Sequence, residues 1–499
     1  MTGGSGPAPV DAPARANGLG RRVARGAGVT LLGQGIRIGL QLGSVVVLAR
    51  LLTPADYGLF AIVLVVVGIG EIFRDFGLST AAIRAPSLST DQRDTLAWVN
   101  AGVGALLTVV VFTGAGVVAA VFGRHELVGM THVLCLSFLV NGLATQYRAD
   151  LTRRMRFGRL VAADTIGQAV GLTVAITAAA VLHAGYWALV AQQLTQVTVA
   201  FVVLGLGAGW LPGPPRRSAG IGPFLRLGTS LVGTQLLGYL RVNLDTITLG
   251  LRTTPTAVGT YTRAFQLLMT PLTQLRSPTT TVALPVLTRL HEDVGRTDDF
   301  LRRAQLMFGY TIVAAMAVAA GGAVPLLQLF LGDRWVGVAP VFALLAVAGS
   351  FQTLSYVGYW VYLSRGLGTD LFRYSLVSLG IQAVCIVVGS SFGVVGVAAG
   401  YAVATGIEWP LSLWWLSRIT PFPVRDLVRG AIRILVCAVP AGLAALAAAS
   451  AVGDRPALVG SLAAAVAGLA VYAVAWVVSP AVRRDVGGLA AFGAQMVQR

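Results

Sequence analysis

Residues 50–84 read RLLTPADYGLFAIVLVVVGIGEIFRDFGLSTAAIR. The stretch opens on a helix-breaking turn, Thr53-Pro54-x-x-x-Gly58, and runs on into a long apolar segment with Glu71, Arg74 and Asp75 near its far end. The same turn returns as Thr254-Pro255-x-x-x-Gly259, ahead of a second apolar helix whose far part holds Arg276. Upstream, Gly28-x-x-Leu31-x-Gly33 is echoed by Gly228-x-x-Leu231-x-Gly233. The offsets are 200 and 201 residues, so the second half of the chain repeats the first. Repetition inside an apolar chain points to a membrane transporter built from two bundles.

Composition fixes the same class. Of 499 residues, 56% are hydrophobic and 11% charged, whereas soluble domains carry about 25% charged residues. The 61 glycines suit close helix packing in lipid. All 37 basic residues are arginine, and the formal net charge is +17. These arginines lie between apolar segments rather than in one patch, so they point to membrane orientation and not to nucleic acid. Cys135, Cys385 and Cys437 sit in apolar runs without metal-like spacing, and His125, His132, His183 and His291 are scattered. No metal or cofactor is expected.

In chain order, residues 1–26 read as a disordered basic cytoplasmic tail. Fourteen apolar segments then reach spanning length: 27–49, 57–83, 96–121, 127–149, 160–183, 186–208, 223–250, 257–287, 303–330, 338–363, 371–391, 394–416, 431–450 and 457–478. The expected fold is therefore an all-α integral membrane protein of about 14 transmembrane helices. A six-helix bundle at 27–210 is followed by a cytoplasmic linker at 211–222 and a second bundle at 223–416. Two appended helices occupy 417–480, and 481–499 form a cytoplasmic tail. Alternate connections hold two to four arginines and the others one or none. The positive-inside rule then puts both termini in the cytoplasm. No connection is long enough to fold as a domain, so function must lie within the helices.

Arginine at mid-membrane costs about 2.5–3.5 kcal/mol on insertion scales, which makes it a functional candidate. Helix 1 carries Gln34, Arg37, Gln41 and Ser44 as one polar stripe. Helix 7 carries Thr234, Arg241, Asp245 and Thr248, and the repeat sets Arg241 where Gln41 stands. Helix 8 carries Arg263, Gln266, Thr270, Gln274, Arg276 and Ser277. Stripes on the first two helices of both repeats predict a central cationic cavity, suited to a phosphate-bearing substrate. Glu71–Arg74–Asp75 and Arg241–Asp245 stand at helical pairing distance, which leaves ligand, ion-coupling and structural ion-pair roles open. Arg37 has no acidic neighbour three or four residues away and reads as a ligand. Arg263 and Arg276 read either as ligands or as residues that snorkel to the interfaces. Glu408 reads as interfacial, and Trp187, Trp210, Trp335, Trp409, Trp414 and Trp415 read as interfacial anchors. Gly39-x-x-x-Gly43 and Gly396-x-x-x-Gly400 are candidate packing motifs.

Two stretches resemble bacterial oligosaccharide flippases of the O-antigen type. They are ARLLTPADYGLFAIVLVVVGIGEIFRDFGLSTAAI at 49–83 and VGTYTRAFQLLMTPLTQLRSPTTTVALPVLTRL at 258–290. That branch belongs to the multidrug/oligosaccharidyl-lipid/polysaccharide exporter superfamily. The resemblance implies flipping of a polyprenyl-diphosphate-linked oligosaccharide across the bacterial cytoplasmic membrane, by alternating access through a cationic cavity between two bundles. It also implies no enzymatic activity, and leaves polysaccharide polymerases or glycosyltransferases open as partners. Arg37, Arg74 and Arg276 stand on helices 1, 2 and 8, which carry essential arginines in the lipid II flippase. The turns at Pro54 and Pro255 and the prolines at 271, 278 and 285 are expected to allow bending.

Rival classes fit less well. A drug–cation antiporter of the same superfamily should show interior carboxylates outnumbering arginines. A membrane glycan polymerase should carry a large outward loop. A major-facilitator transporter should carry Gly-x-x-x-Asp-Arg-x-Gly-Arg-Arg after helix 2, where this chain has RAPSLSTDQRD at 84–94.

Overall fold

The Thr-Pro turns are helix starts. In the computed structural model, Thr53 caps the second helix, with its hydroxyl accepting from the Asp56 amide at 3.3 Å. The Asp56 carboxylate reaches back to the Thr53 amide at 2.9 Å and to its hydroxyl at 2.6 Å. This is a reciprocal capping box, and Pro54 fills the first helical position, where its missing N–H costs nothing. Thr254 caps the eighth helix in the same way, accepting from the Ala257 amide at 3.3 Å. Both turns therefore set helix ends and do not kink a continuous helix.

The structure describes residues 33–75, 82–83, 88–216, 222–290, 293–453 and 455–497. The expected tail at 1–26, Gly28, Leu31 and His291, and the side chains of Asp75, Thr234 and Ser277, lie outside what it describes. Among the described residues the regular elements are helices, with no strand. Apart from short pieces such as Ala115–Phe122 and Ala323–Phe330, they are α1 (33–51), α2 (Pro54–Asp75), α3 (Thr90–Thr113), α4 (Glu126–Arg153), α5 (Phe157–Ala180), α6 (Trp187–Ala208) and α7 (Gly222–Arg252). There follow α8 (Pro255–Arg289), α9 (Val294–Gly321), α10 (Ala339–Ser364), α11 (Gly368–Gly389), α12 (Gly393–Ile419), α13 (Val424–Val452), α14 (Ala457–Val478) and α15 (Pro480–Val497). Each expected segment overlaps one long helix; α15 continues into the stretch expected as a tail.

Among the described residues, ten stretches are long and apolar enough to cross a membrane, one of them, Gly368–Ile419, containing both α11 and α12. Helices α7 and α8 are not among the ten. Their arginines and threonines, and three prolines inside α8, lower the hydropathy, yet α8 stays helical for 35 residues through Pro271, Pro278 and Pro285. Apolar side chains such as Leu206 (79% exposed) and Val478 (73% exposed) stand outward, the arrangement of a protein solvated by lipid.

The chain packs as two compact units. The first takes in the described residues of Met1–Ser44, Val66–Ala120 and Arg124–Leu237. Its core includes Tyr147, Leu151, Ala163 and Leu204. Glycines let backbones touch: Gly104 and Gly142 seat α3 on α4 at the Phe138 and Asn100 carbonyls, and Gly167 and Gly171 seat α5 on α6 at those of Gln196 and Gln192.

The second unit takes in Val45–Val65, Val121–Gly123 and the described residues of Gly238–Arg499. Its core includes Leu306, Val313, Leu354 and Ile434. Gly396 and Gly400 seat α12 against α11, as their spacing suggests. Gly39 and Gly43 meet nothing within 4 Å, so that motif packs against no described residue. Trp335 is fully buried, not interfacial, and donates its indole N–H to the Ala49 carbonyl at 3.0 Å. Within this unit the two repeated motifs also meet each other. A Cβ on Gly58 would overlap the Pro255 carbonyl, and a Cβ on Gly259 would overlap the Pro54 carbonyl. The starts of α2 and α8 thus cross reciprocally, backbone on backbone.

Candidate functional site

Each unit holds a cavity with charged residues in its wall. In the first unit, α4 presents Asn141, Thr145 and Arg148 on one face, at helical spacing. Arg74 of α2 is fixed against that face. Its Nε donates to Glu71 Oε2 at 2.5 Å, and its Nη1 donates to Thr145 Oγ1 at 2.5 Å and to the Asn141 carbonyl at 3.4 Å. Asn141 Nδ2 donates to the other Glu71 oxygen at 2.8 Å. The pair Glu71–Arg74 expected from spacing is therefore formed and cross-braced to α4.

Asp164 of α5 gathers two further arginines. Arg148 donates to both its oxygens, at 2.6 and 3.2 Å, and Arg37 Nη1 lies at 3.5 Å. Arg37 thus has a carboxylate partner after all, on another helix. Arg74, Arg148 and Asp164 line a cavity of about 300 Å³. Arg37 and Glu71 pair with these residues from outside the lining, so that among the described groups the cluster sets three guanidiniums against two carboxylates, an excess of one positive charge. Arg148 was not foreseen from the sequence, although the Asn141, Thr145, Arg148 stripe is visible there. Gln34 and Gln41 of α1 are half-buried and do not line this cavity, and Ser44 accepts from Gln192 Nε2 at 3.0 Å.

In the second unit, α7, α8, α10, α11 and α12 enclose a cavity of about 620 Å³, whose wall includes Arg241, Arg276, Gln352, Tyr356, Gln382 and Glu408. Arg241 does not pair with Asp245. Its Nη2 donates to Glu408 Oε2 of α12 at 2.5 Å, and Gln382 Nε2 of α11 donates to its carbonyl at 3.0 Å. Glu408 is accordingly a buried member of the helix bundle, 6% exposed, and not an interfacial residue. Asp245 is buried elsewhere, accepting from Tyr261 Oη at 2.6 Å and from the Thr246 amide at 2.7 Å. A carboxylate so enclosed satisfies its lone pairs locally and faces no described arginine.

Arg276 is 8% exposed, so it does not snorkel. Its Nη2 donates to the neutral Gln352 Oε1 at 3.2 Å, Gln352 in turn donates to Tyr401 Oη at 2.7 Å, and the Tyr356 ring centroid lies 5.3 Å from the guanidinium. Arg263 lies 3.6 Å above the Tyr57 ring, near the crossing of α2 and α8, and does not line the cavity.

Removing Arg241 leaves the buried Glu408 carboxylate uncompensated, which typically costs about 3–5 kcal/mol. Arg241→Ala should therefore lower the melting temperature of the purified protein markedly. The double variant Arg241→Gln with Glu408→Gln should recover much of that loss. If the single variant melts like the parent, the pair is not structurally coupled.

The profile described as polysaccharide biosynthesis protein matches residues 47–340. The lipopolysaccharide biosynthesis protein WzxC of Escherichia coli strain K12 is 24% identical over 76% of this chain and 77% of its own. The teichuronic acid biosynthesis protein TuaB of Bacillus subtilis strain 168 is 22% identical over 70% and 73%. Among solved structures, the lipid II flippase MurJ in an inward closed conformation aligns with a TM-score of 0.69 and 13% identity, covering 91% of this chain and 99% of that one. An inward-facing multidrug resistance MATE family transporter aligns with a TM-score of 0.62 and 15% identity, covering 79% and 96%. These two likenesses concern the fold.

Proposed function

The chain belongs to the polysaccharide biosynthesis protein family, and on that premise we propose that it is a flippase. It moves a polyprenyl-diphosphate-linked oligosaccharide across the bacterial cytoplasmic membrane for cell-surface polysaccharide assembly. The observation that carries this reading is the surplus of guanidinium groups at two cavities in a multi-pass, lipid-embedded protein. Among the described residues, the cluster of Arg37, Arg74 and Arg148 at and beside the first cavity exceeds Glu71 and Asp164 by one charge, and Arg241 and Arg276 lining the second exceed Glu408 by one. Guanidinium matches diphosphate oxygens in paired geometry and keeps its charge in a dry site. The relatives named for lipopolysaccharide and teichuronic acid biosynthesis support the substrate class, and the lipid II flippase fold supports the transport step. On this reading the chain transports without catalysing a reaction. It spans 27–210 and 223–416 as its two repeats and keeps both termini in the cytoplasm. Polymerases and glycosyltransferases of the same glycan would be its neighbours. Glu71 and Asp245 stay candidates for ion coupling, Glu71 through its place beside Arg74.

The deciding assay uses proteoliposomes carrying a fluorescent polyprenyl-diphosphate oligosaccharide. Exposure of the headgroup on the opposite leaflet is expected with the parent chain and not with empty liposomes. No exposure under any ion gradient, together with export of a cationic dye, would replace this reading with the drug–cation antiporter.

A further inference from the structure

Three unsatisfied buried groups gather at the cavity of the second unit. Arg276 Nε, Tyr362 Oη and Glu408 Oε1 are buried and find no hydrogen-bond partner among the described residues, and all three belong to side chains that line the one cavity. Buried polar groups are nearly always paired, because leaving one unpaired costs about 1–3 kcal/mol. Two free donors and one free acceptor on a common wall therefore describe the complement of a ligand that both accepts and donates. Arg276 adds a charge with no carboxylate partner among the described residues, where Gln352 and the Tyr356 ring face receive its guanidinium.

Much of the rest of the wall is aromatic, interspersed with apolar and hydroxyl side chains such as Met269, Leu371, Ser355 and Thr405. Tyr356, Tyr359 and Tyr362 recur every third residue along α10 and line the cavity together with Tyr374 and Tyr401. Tyr356 and Tyr359 lie nearly parallel, 30° apart with centroids at 5.9 Å, and Tyr362 stacks on Tyr374 at 5.8 Å. Tyr359 is 40% exposed. Flat, rigid ring faces beside hydroxyl and amide groups suit a polyhydroxylated ring, whose C–H faces pack on aromatics while its edges hydrogen-bond. A lipid tail would leave every one of those polar atoms unpaired, and an inorganic anion would leave the tyrosine faces unused.

We propose that the cavity enclosed by α7, α8, α10, α11 and α12 is a saccharide subsite. It receives a pyranose ring against Tyr356 and Tyr359, takes ring hydroxyls on Tyr362 Oη and Glu408 Oε1, and holds an oxyanion attached to that ring on Arg276. The inference deepens the flippase reading and rests on it. The oxyanion is either the diphosphate at the reducing end or the carboxylate of an acidic sugar, since guanidinium recognises both.

The test is equilibrium binding to the full chain in lipid nanodiscs. Three probes are compared: farnesyl diphosphate, farnesyl-diphosphate N-acetylglucosamine and farnesyl-diphosphate glucuronate. The sugar-bearing probes should bind at least about tenfold tighter than bare farnesyl diphosphate, the equivalent of one good buried contact set. That advantage should shrink to under about twofold in Tyr359→Ala and fall measurably in Tyr362→Phe, which removes only the hydroxyl. In Arg276→Gln, weakening of all three probes assigns the oxyanion to the diphosphate, and weakening of the glucuronate probe alone assigns it to the acidic sugar. Arg276→Gln without effect on any probe overturns the anion hook. A sugar advantage that is absent in the parent chain, or unchanged in Tyr359→Ala and Tyr362→Phe, overturns the subsite and leaves the flippase reading standing. Failure of the parent chain to bind any of the three overturns both.

Discussion

Arg74→Ala should reduce translocation of the lipid-linked headgroup by at least about 30-fold, because truncating one partner of a hydrogen-bonded charge pair costs about 2–5 kcal/mol and each 1.4 kcal/mol is tenfold. Arg74 is the tightest-held cation of the first cavity, bonded at 2.5 Å to both Glu71 and Thr145. Its removal strips the cavity of the surplus charge and frees Glu71 to repel an incoming diphosphate. Arg74→Lys should recover only part of the rate, since an ammonium keeps the charge and loses the fork that meets Glu71 and Thr145 together. The control is the pair Glu71→Gln with Arg74→Gln, which removes both charges and retains hydrogen-bonding capacity. If that double variant transports at the parental rate, Arg74 serves only to neutralise Glu71 and does not touch substrate. Membrane insertion and melting temperature are measured alongside, so that loss of fold is not mistaken for loss of transport.

The second large effect concerns the crossing of α2 and α8. Gly58→Val or Gly259→Val should destabilise the purified protein by about 3 kcal/mol or more, the upper part of the range for overpacking. The added atoms meet the carbonyls of Pro255 and Pro54, which are backbone and cannot rotate away. The helices would have to separate, and with them Arg263 would lift from the Tyr57 ring and Tyr57 from its edge contact with Trp335 at 5.8 Å. Gly58→Ala and Gly259→Ala should each lower the melting temperature, and the double variant should lower it by less than the sum. Neighbouring sites couple, and the first separation already makes room for the second methyl. Gly39→Ala and Gly43→Ala give the contrast. No heavy atom lies within 4 Å of either added Cβ, so replacing a mid-helix glycine should be neutral or stabilising by up to about 1 kcal/mol. Equal melting of Gly58→Ala and Gly39→Ala would show that the crossing is not tightly packed.

Much of the fold was legible because its signals are local. Hydropathy adds up along a single helix, and the apolar runs fall on long helices, ten stretches of which are apolar enough to cross a membrane among the described residues. Thr53-Pro54-x-Asp56 specifies a cap within four residues, and Ser89 with Gln92 forms another, at 3.1 and 3.2 Å. The site was legible only in its cations. Arg74 and Glu71 were found as a pair because they share a helix. Arg37 was read as unpaired because its partner is 127 residues away, on α5. Arg241 was matched with Asp245 for the same reason of proximity, whereas Glu408, 167 residues on, holds it. The tyrosine stripe of α10 was written openly as Tyr356, Tyr359 and Tyr362, but an aromatic stripe marks a binding wall only when the helices opposite it leave a gap.

The sequence by itself determined the solvent of this protein, its all-helical class and the approximate places of its long helices. Each of these follows from energies summed over neighbouring residues, whatever the rest of the chain does. The tertiary structure alone decided which face of each helix meets which, and so which charge is neutralised and which is left over. Advancing one residue turns a side chain by about 100° around a helix, enough to exchange a partner for lipid. The surplus at Arg276, the burial of Glu408 and the seat of Gly58 on Pro255 are therefore properties of packing. They come into being only when helices distant in the chain are brought together.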